Sequence, residues 1–153
     1  MNKKYEFTDE VKVVFGHTLH RIRATVAFGN VKKDEIGGWI EKESNLSHEG
    51  NAWVYGNAWV YGDAEVCGDA EVCGDAHYFT VGPIGSRGGF TTFFHTKSLE
   101  VGVTCGCFRG NIQAFTKKVE ETHGGNDHAK RYALAIKLAK VSIDLSANAE
   151  ETD

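Results

Sequence analysis

Apolar residues recur at every second position within a run of six-residue phrases over residues 51–74. Each phrase places Ala two positions before Val, with variable residues between and after them. Because side chains alternate across a β-strand, Ala and Val share one face and the variable pair shares the other. Gly followed by Asn or Asp then predicts a turn, since these residues accept unusual backbone angles. The phrases are NAWVYG (51–56 and 57–62) and DAEVCG (63–68 and 69–74), with degenerate copies NLSHEG (45–50) and DAHYFT (75–80).

An aliphatic residue preceded two places earlier by a small residue resembles the left-handed hexapeptide-repeat β-helix. The matching pairs are Ala52/Val54, Ala58/Val60, Ala64/Val66 and Ala70/Val72. The resemblance implies a left-handed hexapeptide-repeat-like β-solenoid of about two coils over residues 45–80, because three phrases make one coil in that family. A two-sided solenoid with two phrases per coil is the alternative.

Large aromatic residues fill the variable positions of the first two phrases: Trp53, Tyr55, Trp59 and Tyr61. So many large rings on an outward face predict a cover or an interaction surface. Either the rest of the chain or a second subunit covers them, or they form a surface for a ligand or partner. The open edges of a short solenoid also need caps. Both arguments favour a homo-oligomer, either a dimer or a trimer.

The flanking segments predict further elements. Residues 1–44 read as N-terminal strands and a cap of the solenoid, in which Trp39 closes the open end. Residues 81–145 read as a small α+β domain of two strands, at 90–94 and 99–108, and two helices, at 111–124 and from about Asp127. The helical stripes are Ile112, Phe115 and Val119 in the first helix, and Tyr132, Ile136, Ala139 and Ile143 in the second. The acidic end, 146–153, reads as a flexible tail.

A glycine-rich stretch, VGPIGSRGG at 81–89, precedes the strand FTTFF. Backbone N–H groups in such a turn can cradle an anion, and an Arg can add a bidentate phosphate contact. The stretch lacks the Gly-Lys-Ser/Thr of a P-loop and runs into a strand rather than a helix, unlike a dinucleotide fingerprint. It is either a plain turn or a ligand loop. The candidate ligand-binding residues are Gly85, Ser86, Arg87, Thr91 and Arg109.

Composition narrows the function classes. The chain has 153 residues, a formal net charge of −4, and 18 Gly with one Pro. This balance argues against duplex nucleic acid as a partner. No long apolar run or signal-peptide pattern is present, which predicts a cytoplasmic protein without a membrane partner. The four cysteines read as reduced thiols, and Cys105-Gly-Cys107 lacks the spacing of common zinc sites, so no metal or cofactor is expected.

The chain as a whole resembles a family of small phage and prophage proteins. The matching stretches are RIRATVAFGNVKKDEIGGWIEKESNLS, the NAWVYG-type hexads, VGPIGSR with FTTFF, and VTCGCFRGNIQAF. The resemblance covers nearly the full chain. It implies a phage-encoded accessory protein in the bacterial host cytoplasm, but no established chemistry and therefore no functional residues.

These features favour a non-enzymatic binding protein. Such a protein would counter host defence by sequestering a phosphate-bearing nucleotide second messenger or by blocking a host defence protein. A hexapeptide-repeat acyltransferase is one alternative, with His48 or His77 as its base. A structural, oligomerising interaction protein is the other. The sequence shows no recognisable set of catalytic residues.

Overall fold

The N-terminal hairpin and part of the repeat form one four-stranded sheet in the computed structural model, which describes residues 3–74 and 77–146. Strands β1 and β2 pair antiparallel, β2 pairs antiparallel with β3, and β3 pairs parallel with β5. The parallel pairing places Trp39 beside Trp59 and Ile40 beside Val60. The strands are β1 Tyr5–Val14, β2 His17–Ala24, β3 Ile36–Ile40 and β5 Trp59–Val60.

The remaining phrases pair only over very short segments. Strands β4 (Trp53–Val54) and β6 (Glu71–Val72) form a two-stranded parallel sheet, and Leu46 makes an isolated parallel bridge with Val66. β4, in the phrase at 51–56, therefore lies beside the phrase at 69–74, which comes three phrases later in the chain. Gly56, Gly62 and Gly68 have positive φ angles and end the extended segments at regular intervals.

The predicted left-handed β-solenoid is wrong. The described residues form two four-stranded sheets and one two-stranded sheet, with both parallel and antiparallel pairing, and two helices. Each described repeat strand has two residues, which is shorter than usual, and β5 pairs with β3 of the N-terminal sheet. The fold is a mixed β structure with helices at its C-terminal end.

The prediction that Ala and Val point inward is confirmed. All eight repeat Ala and Val residues are at most 3% exposed and belong to one hydrophobic cluster. The same cluster contains Tyr5 and Ile22 of the N-terminal hairpin and Ile40 of β3. The repeat and the N-terminal strands therefore share a core, and burial of each Val stabilises the fold by about 1.5–3 kcal/mol.

Trp53 does not belong to an exposed aromatic surface, which corrects the prediction of four outward rings. It is fully buried, and the edges of Tyr5 and Phe28 pack against its ring. β3 crosses directly above it at Gly37, where an added Cβ would lie 2.6 Å from the indole ring. The chain itself covers this ring, because a glycine lets the two backbones approach closely.

The second four-stranded sheet is antiparallel, in the order β10-β9-β8-β7. The strand predicted at 90–94 lies within β8, and its predicted pairing with the following segment is confirmed. The single strand predicted at 99–108 is instead a hairpin, because Gly106 has a positive φ and turns the chain. The strands are β7 Tyr78–Ile84, β8 Gly89–His95, β9 Val101–Cys105 and β10 Phe108–Asn111.

The two predicted helices are confirmed as α1 (Ile112–His123) and α2 (Asp127–Ser142). Asn111 caps α1, its side chain accepting a hydrogen bond from the Ala114 N–H at 2.8 Å. Asn126 caps α2 in the same way. The predicted apolar stripes of both helices are buried in a second hydrophobic cluster that also contains Phe93 of β8 and Val103 of β9. Of the predicted tail at 146–153, residues 147–153 lie outside the described part of the chain, as do Asp75 and Ala76 of the sixth phrase.

Strand β8 joins the two cores. Phe93 belongs to the helix-covered cluster, whereas the next residue, Phe94, belongs to the repeat cluster, as strand alternation requires. The repeat is also hydrogen-bonded to this sheet: Glu65 N–H donates to Thr92 Oγ1 at 3.0 Å, and Cys67 Sγ lies 3.3 Å from Thr104 Oγ1. The second sheet is therefore covered by helices on one face and by the repeat on the other.

Buried polar side chains hold the turns of the repeat. Lys4, only 4% exposed, donates from Nζ to the Ala52 carbonyl at 2.7 Å and lies 4.7 Å from the centre of the Phe28 ring. Asn45 Nδ2 donates to the Ala64 carbonyl at 2.8 Å. These groups satisfy carbonyls that the short strands leave without a partner.

Lys4 predicts a specific dependence of stability on pH. Burial lowers the pKa of Lys4 from 10.5 to about 8. Between these values the unfolded chain binds more protons than the folded chain, so the free energy of unfolding rises with pH. The gain is at most about 3 kcal/mol, at about 1.4 kcal/mol per pKa unit. We expect denaturation curves to show that, between pH 7.5 and pH 10, the free energy of unfolding of the wild type rises by this amount relative to that of Lys4→Met. The same difference between the two proteins at both pH values would contradict the prediction.

Candidate functional site

The glycine-rich stretch forms the turn between β7 and β8. Ile84 pairs with Gly89, and the Gly88 N–H donates to the Gly85 carbonyl at 3.2 Å, which closes a tight turn. Both Gly85 and Gly88 have positive φ angles. Ser86 and Arg87 therefore lie at the exposed tip of the hairpin, as the ligand-loop hypothesis requires.

This turn borders a cleft of about 380 Å³, which we call the turn cleft. The turn between β9 and β10 forms a second wall, and residues of α1 and α2 form the rest. Arg87, Lys118 and His123 contribute nitrogen groups that can carry positive charge, and no acidic residue is among the described residues that line the cleft. The other lining residues are Ile84, Ser86, Gly89, Phe90, Cys105, Gly106, Cys107, Phe108, Phe115, Val119, Thr122 and Tyr132. The cleft can therefore hold an anion.

A thiol and a phenol interact in the wall of the turn cleft. Thr91 Oγ1 donates to Cys105 Sγ at 3.2 Å, and Cys105 Sγ lies 3.6 Å from the Tyr132 hydroxyl. Burial, reinforced by the neighbouring Cys105, raises the pKa of Tyr132 to about 12. The Tyr132 hydroxyl therefore keeps its proton at neutral pH and is available as a hydrogen-bond donor.

Aromatic rings build the floor of the turn cleft. The Phe115 ring packs edge-on against Tyr132, with centroids 5.5 Å apart, and Phe108 contacts Phe115 at 5.3 Å. His123 stacks on Tyr132 at 5.8 Å. Rings fixed in this way present flat apolar surfaces beside the cationic side chains.

The structure gathers some of the predicted ligand residues and separates others. Gly85, Ser86 and Arg87 lie together at the turn cleft, and Thr91 is buried behind Cys105. Arg109 lies elsewhere: its guanidinium is 3.8 Å from the Glu65 carboxylate, beside a separate cavity of about 360 Å³. Successive residues of a strand point to opposite faces, so Phe108 faces the turn cleft and Arg109 faces away from it.

Sequence reasoning missed Lys118, His123, Tyr132 and the two thiols of Cys105 and Cys107 as neighbours of the glycine-rich turn. The helical spacing of Lys118 and Thr122, beside the buried Phe115 and Val119, could be read from the sequence. Nothing local, however, indicates which hairpin this edge of α1 faces.

The remaining predicted aromatic residues differ in their surroundings. Tyr55 is half-buried and packs against the repeat core. Trp59 and Tyr61 are half-buried and line a different cleft, between the tip of the first hairpin and β7. Lys12 Nζ lies above Trp39 and Trp59, at 4.3 and 5.6 Å from the ring centres. The N-terminal hairpin therefore partly covers this face, and Trp39 contributes to it rather than closing a solenoid.

The two histidines of the repeat have structural contacts. His48 stacks on Tyr5 at 4.0 Å, and its Nδ1 accepts a hydrogen bond from the Lys4 N–H. His77 is buried, and its Nδ1 accepts from the Cys73 N–H. Burial, together with the nearby His95, lowers the pKa of His77. Neither ring projects into an open groove of the kind that a catalytic base needs.

No family model matches the chain, and no curated protein matches it significantly. No described helix is long and apolar enough to cross a membrane. The described residues contain no cluster of three or more His, Cys, Asp or Glu side chains suited to a metal ion. All four cysteines are free thiols in this structure.

Tyr132 packs closely against Gly85 in the turn that carries Arg87, which predicts different effects of substituting Gly85 and Gly88. Both have positive φ, but a methyl group would overlap the Tyr132 hydroxyl at Gly85 and would meet nothing within 4 Å at Gly88. We expect Gly85→Ala to lower the free energy of unfolding by about 1–3 kcal/mol more than Gly88→Ala, the usual cost of overpacking. Chemical denaturation measures this difference.

A double variant tests the cause. Adding Tyr132→Phe to Gly85→Ala removes the overlapping oxygen and should recover part of the lost stability. Equal losses of stability in Gly85→Ala and Gly88→Ala would show that backbone strain alone determines the cost of substituting these glycines.

Proposed function

We propose that this protein binds a phosphate-bearing nucleotide in the turn cleft. The positive charge of the cleft carries the proposal, because Arg87 and Lys118 line it and no acidic residue is among its described lining residues. An Arg guanidinium can bind phosphate through two parallel hydrogen bonds. The N–H groups of the tight turn and the hydroxyl groups of Ser86 and Thr122 can add further contacts.

The aromatic residues of the cleft support a nucleotide rather than a simple inorganic anion. Phe90 and Phe108 lie beside the cationic groups. Stacking of a base on an aromatic ring contributes about 1–3 kcal/mol. A ligand with both a phosphate and a base would use both kinds of group.

The resemblance to small phage and prophage proteins supports a biological setting for this binding. A phage-encoded accessory protein in the bacterial host cytoplasm would counter host defence by sequestering a nucleotide second messenger. The proposal assigns no catalytic step, so the nucleotide leaves the protein chemically unchanged. Nothing in the surroundings of His48 or His77 favours the acyltransferase alternative.

Cyclic di- and trinucleotides should raise the melting temperature of the wild type. We expect Arg87→Ala to weaken binding about tenfold or more, a loss of about 1.4 kcal/mol or more. Arg109→Ala is the matched control, because it removes an Arg from the same sheet but outside the turn cleft. Chromatography of the released ligand should recover intact nucleotide. No shift with any nucleotide, or equal losses in both variants, would refute this function.

A second candidate function, self-association or the blocking of a host protein, is favoured by the exposed face of α2. Leu134, Leu138 and Val141 are 67%, 51% and 85% exposed and follow the spacing of one helical stripe. This apolar stripe supports pairing with a second copy of the chain.

We expect the wild type to form a dimer whose dissociation constant rises at least tenfold in Leu138→Glu. A charge at the centre of an apolar contact loses its water on association, which opposes pairing. Lys140→Glu is the matched control, since Lys140 is exposed on the same helix but lies two residues from Leu138 and therefore faces a different direction. Light scattering over a range of concentrations measures the mass. A monomeric wild type at all concentrations would exclude self-association through this face.

A further inference from the structure

A second cleft, with a volume of about 510 Å³, lies between the tip of the first hairpin, the second repeat phrase and the β7–β8 hairpin. We call it the aromatic cleft, because six aromatic side chains other than His line it: Phe15, Trp59, Tyr61, Tyr78, Phe79 and Phe90. It differs from the turn cleft in charge and composition. The two clefts meet at Phe90, which lines both.

Phe15 is the most unusual residue of the aromatic cleft. It forms the β1–β2 turn with Gly16 and has a φ of +50°, while its side chain remains 86% exposed. Two-residue turns of this kind favour Asn, Asp or Gly at such a position, and a bulky residue there is strained. The core gains little from a ring that remains in solvent. Strain at an exposed position points to a function for the ring itself.

The orientation of the rings indicates the shape of the ligand. The planes of Phe15 and Trp59 are within 10° of parallel, and their centroids are 6.2 Å apart. Because Phe15 is largely exposed, a flat ligand ring can extend this stack at the usual carbon contact distance of about 3.5 Å. Near-parallel faces suit a planar ring better than a rounded ammonium group, which aromatic cages enclose from several sides.

One carboxylate indicates which edge the ligand presents. Asp63 is the acidic residue among the described lining residues, and an ionised carboxylate only accepts hydrogen bonds. Its exposed ion pair with Lys42, at 3.8 Å, is weak and leaves it able to accept from a ligand. The N1–H and N2–H groups of guanine form an adjacent pair of donors that suits a carboxylate.

We propose that the aromatic cleft binds a planar nucleobase of the guanine class, stacked against Phe15 and Trp59 with its N–H edge toward Asp63. Base binding in this cleft does not require phosphate binding at Arg87. If one dinucleotide occupies both clefts, one base stacks on Phe90 and Phe108 in the turn cleft, as the proposed function requires, and a guanine enters the aromatic cleft. The inference then specifies the second base of that dinucleotide.

Calorimetric titration with guanosine, which has no phosphate, tests the aromatic cleft alone. We expect Phe15→Asn to raise the dissociation constant at least tenfold. The same substitution should raise the melting temperature, because Asn suits the turn better than Phe. Phe7→Asn is the matched control: Phe7 lies on the same hairpin and stacks on His20 instead of facing the cleft. Arg87→Ala should weaken the binding of a cyclic guanine dinucleotide more than that of guanosine.

Asp63→Asn tests the recognised edge and should abolish the preference for guanosine over adenosine. Several results would overturn the inference: no guanosine binding, equal losses in Phe15→Asn and Phe7→Asn, or a lower melting temperature in Phe15→Asn. Tighter binding of benzyltrimethylammonium than of guanosine would also overturn it and identify a cation site. None of these results decides phosphate binding, which the Arg87 and Arg109 variants test separately.

Discussion

The close approach of β3 to the repeat is the constraint on which the rest of the structure depends. At Gly37 and Gly38 any side chain would collide with the Trp53 ring and the Ala58 carbonyl. Without side chains, β3 lies flat on the repeat, covers Trp53, and pairs with β5 through Trp39 and Trp59. This contact fixes the N-terminal hairpin relative to the repeat. It thereby places Phe15 over Trp59 and creates one wall of the aromatic cleft.

Strand β8 has the corresponding role for the second half of the chain. Phe93 and Phe94 point to opposite faces and enter different cores, so the sheet cannot shift against the helices without also shifting against the repeat. A one-residue change of register would exchange these two faces. The turn before β8, which carries Arg87, is therefore held at a fixed position relative to α1 and α2. The positive charge of the turn cleft follows from this geometry, because Lys118 comes from α1 and Arg87 from the β7–β8 turn.

Local patterns determined much of this architecture. Alternation along the phrases correctly assigned Ala and Val to the core, and the caps and stripes of α1 and α2 correctly located both helices. These features depend on interactions among residues a few positions apart.

The solenoid prediction failed because it required many phrases to pair with one another in a regular order. The pairing of a strand depends on which other segments compete for its edge, and β5 pairs with β3 of the N-terminal sheet. The candidate site shows the same limit: the sequence predicted the turn at Gly85–Arg87 but not which residues of α1 lie beside it.

The doubled phrase NAWVYG shows most directly what the sequence alone determined. It specified two identical short strands, each with Ala and Val inward, and both form as the alternation requires. It could not specify the environment of the two Trp residues, which have identical neighbours for several residues on the C-terminal side. Trp53 is fully buried under Tyr5, Phe28 and Gly37, whereas Trp59 is half-buried beside Phe15 and faces a cleft. Only tertiary structure decided between them, because the covering residues come from segments distant in the chain.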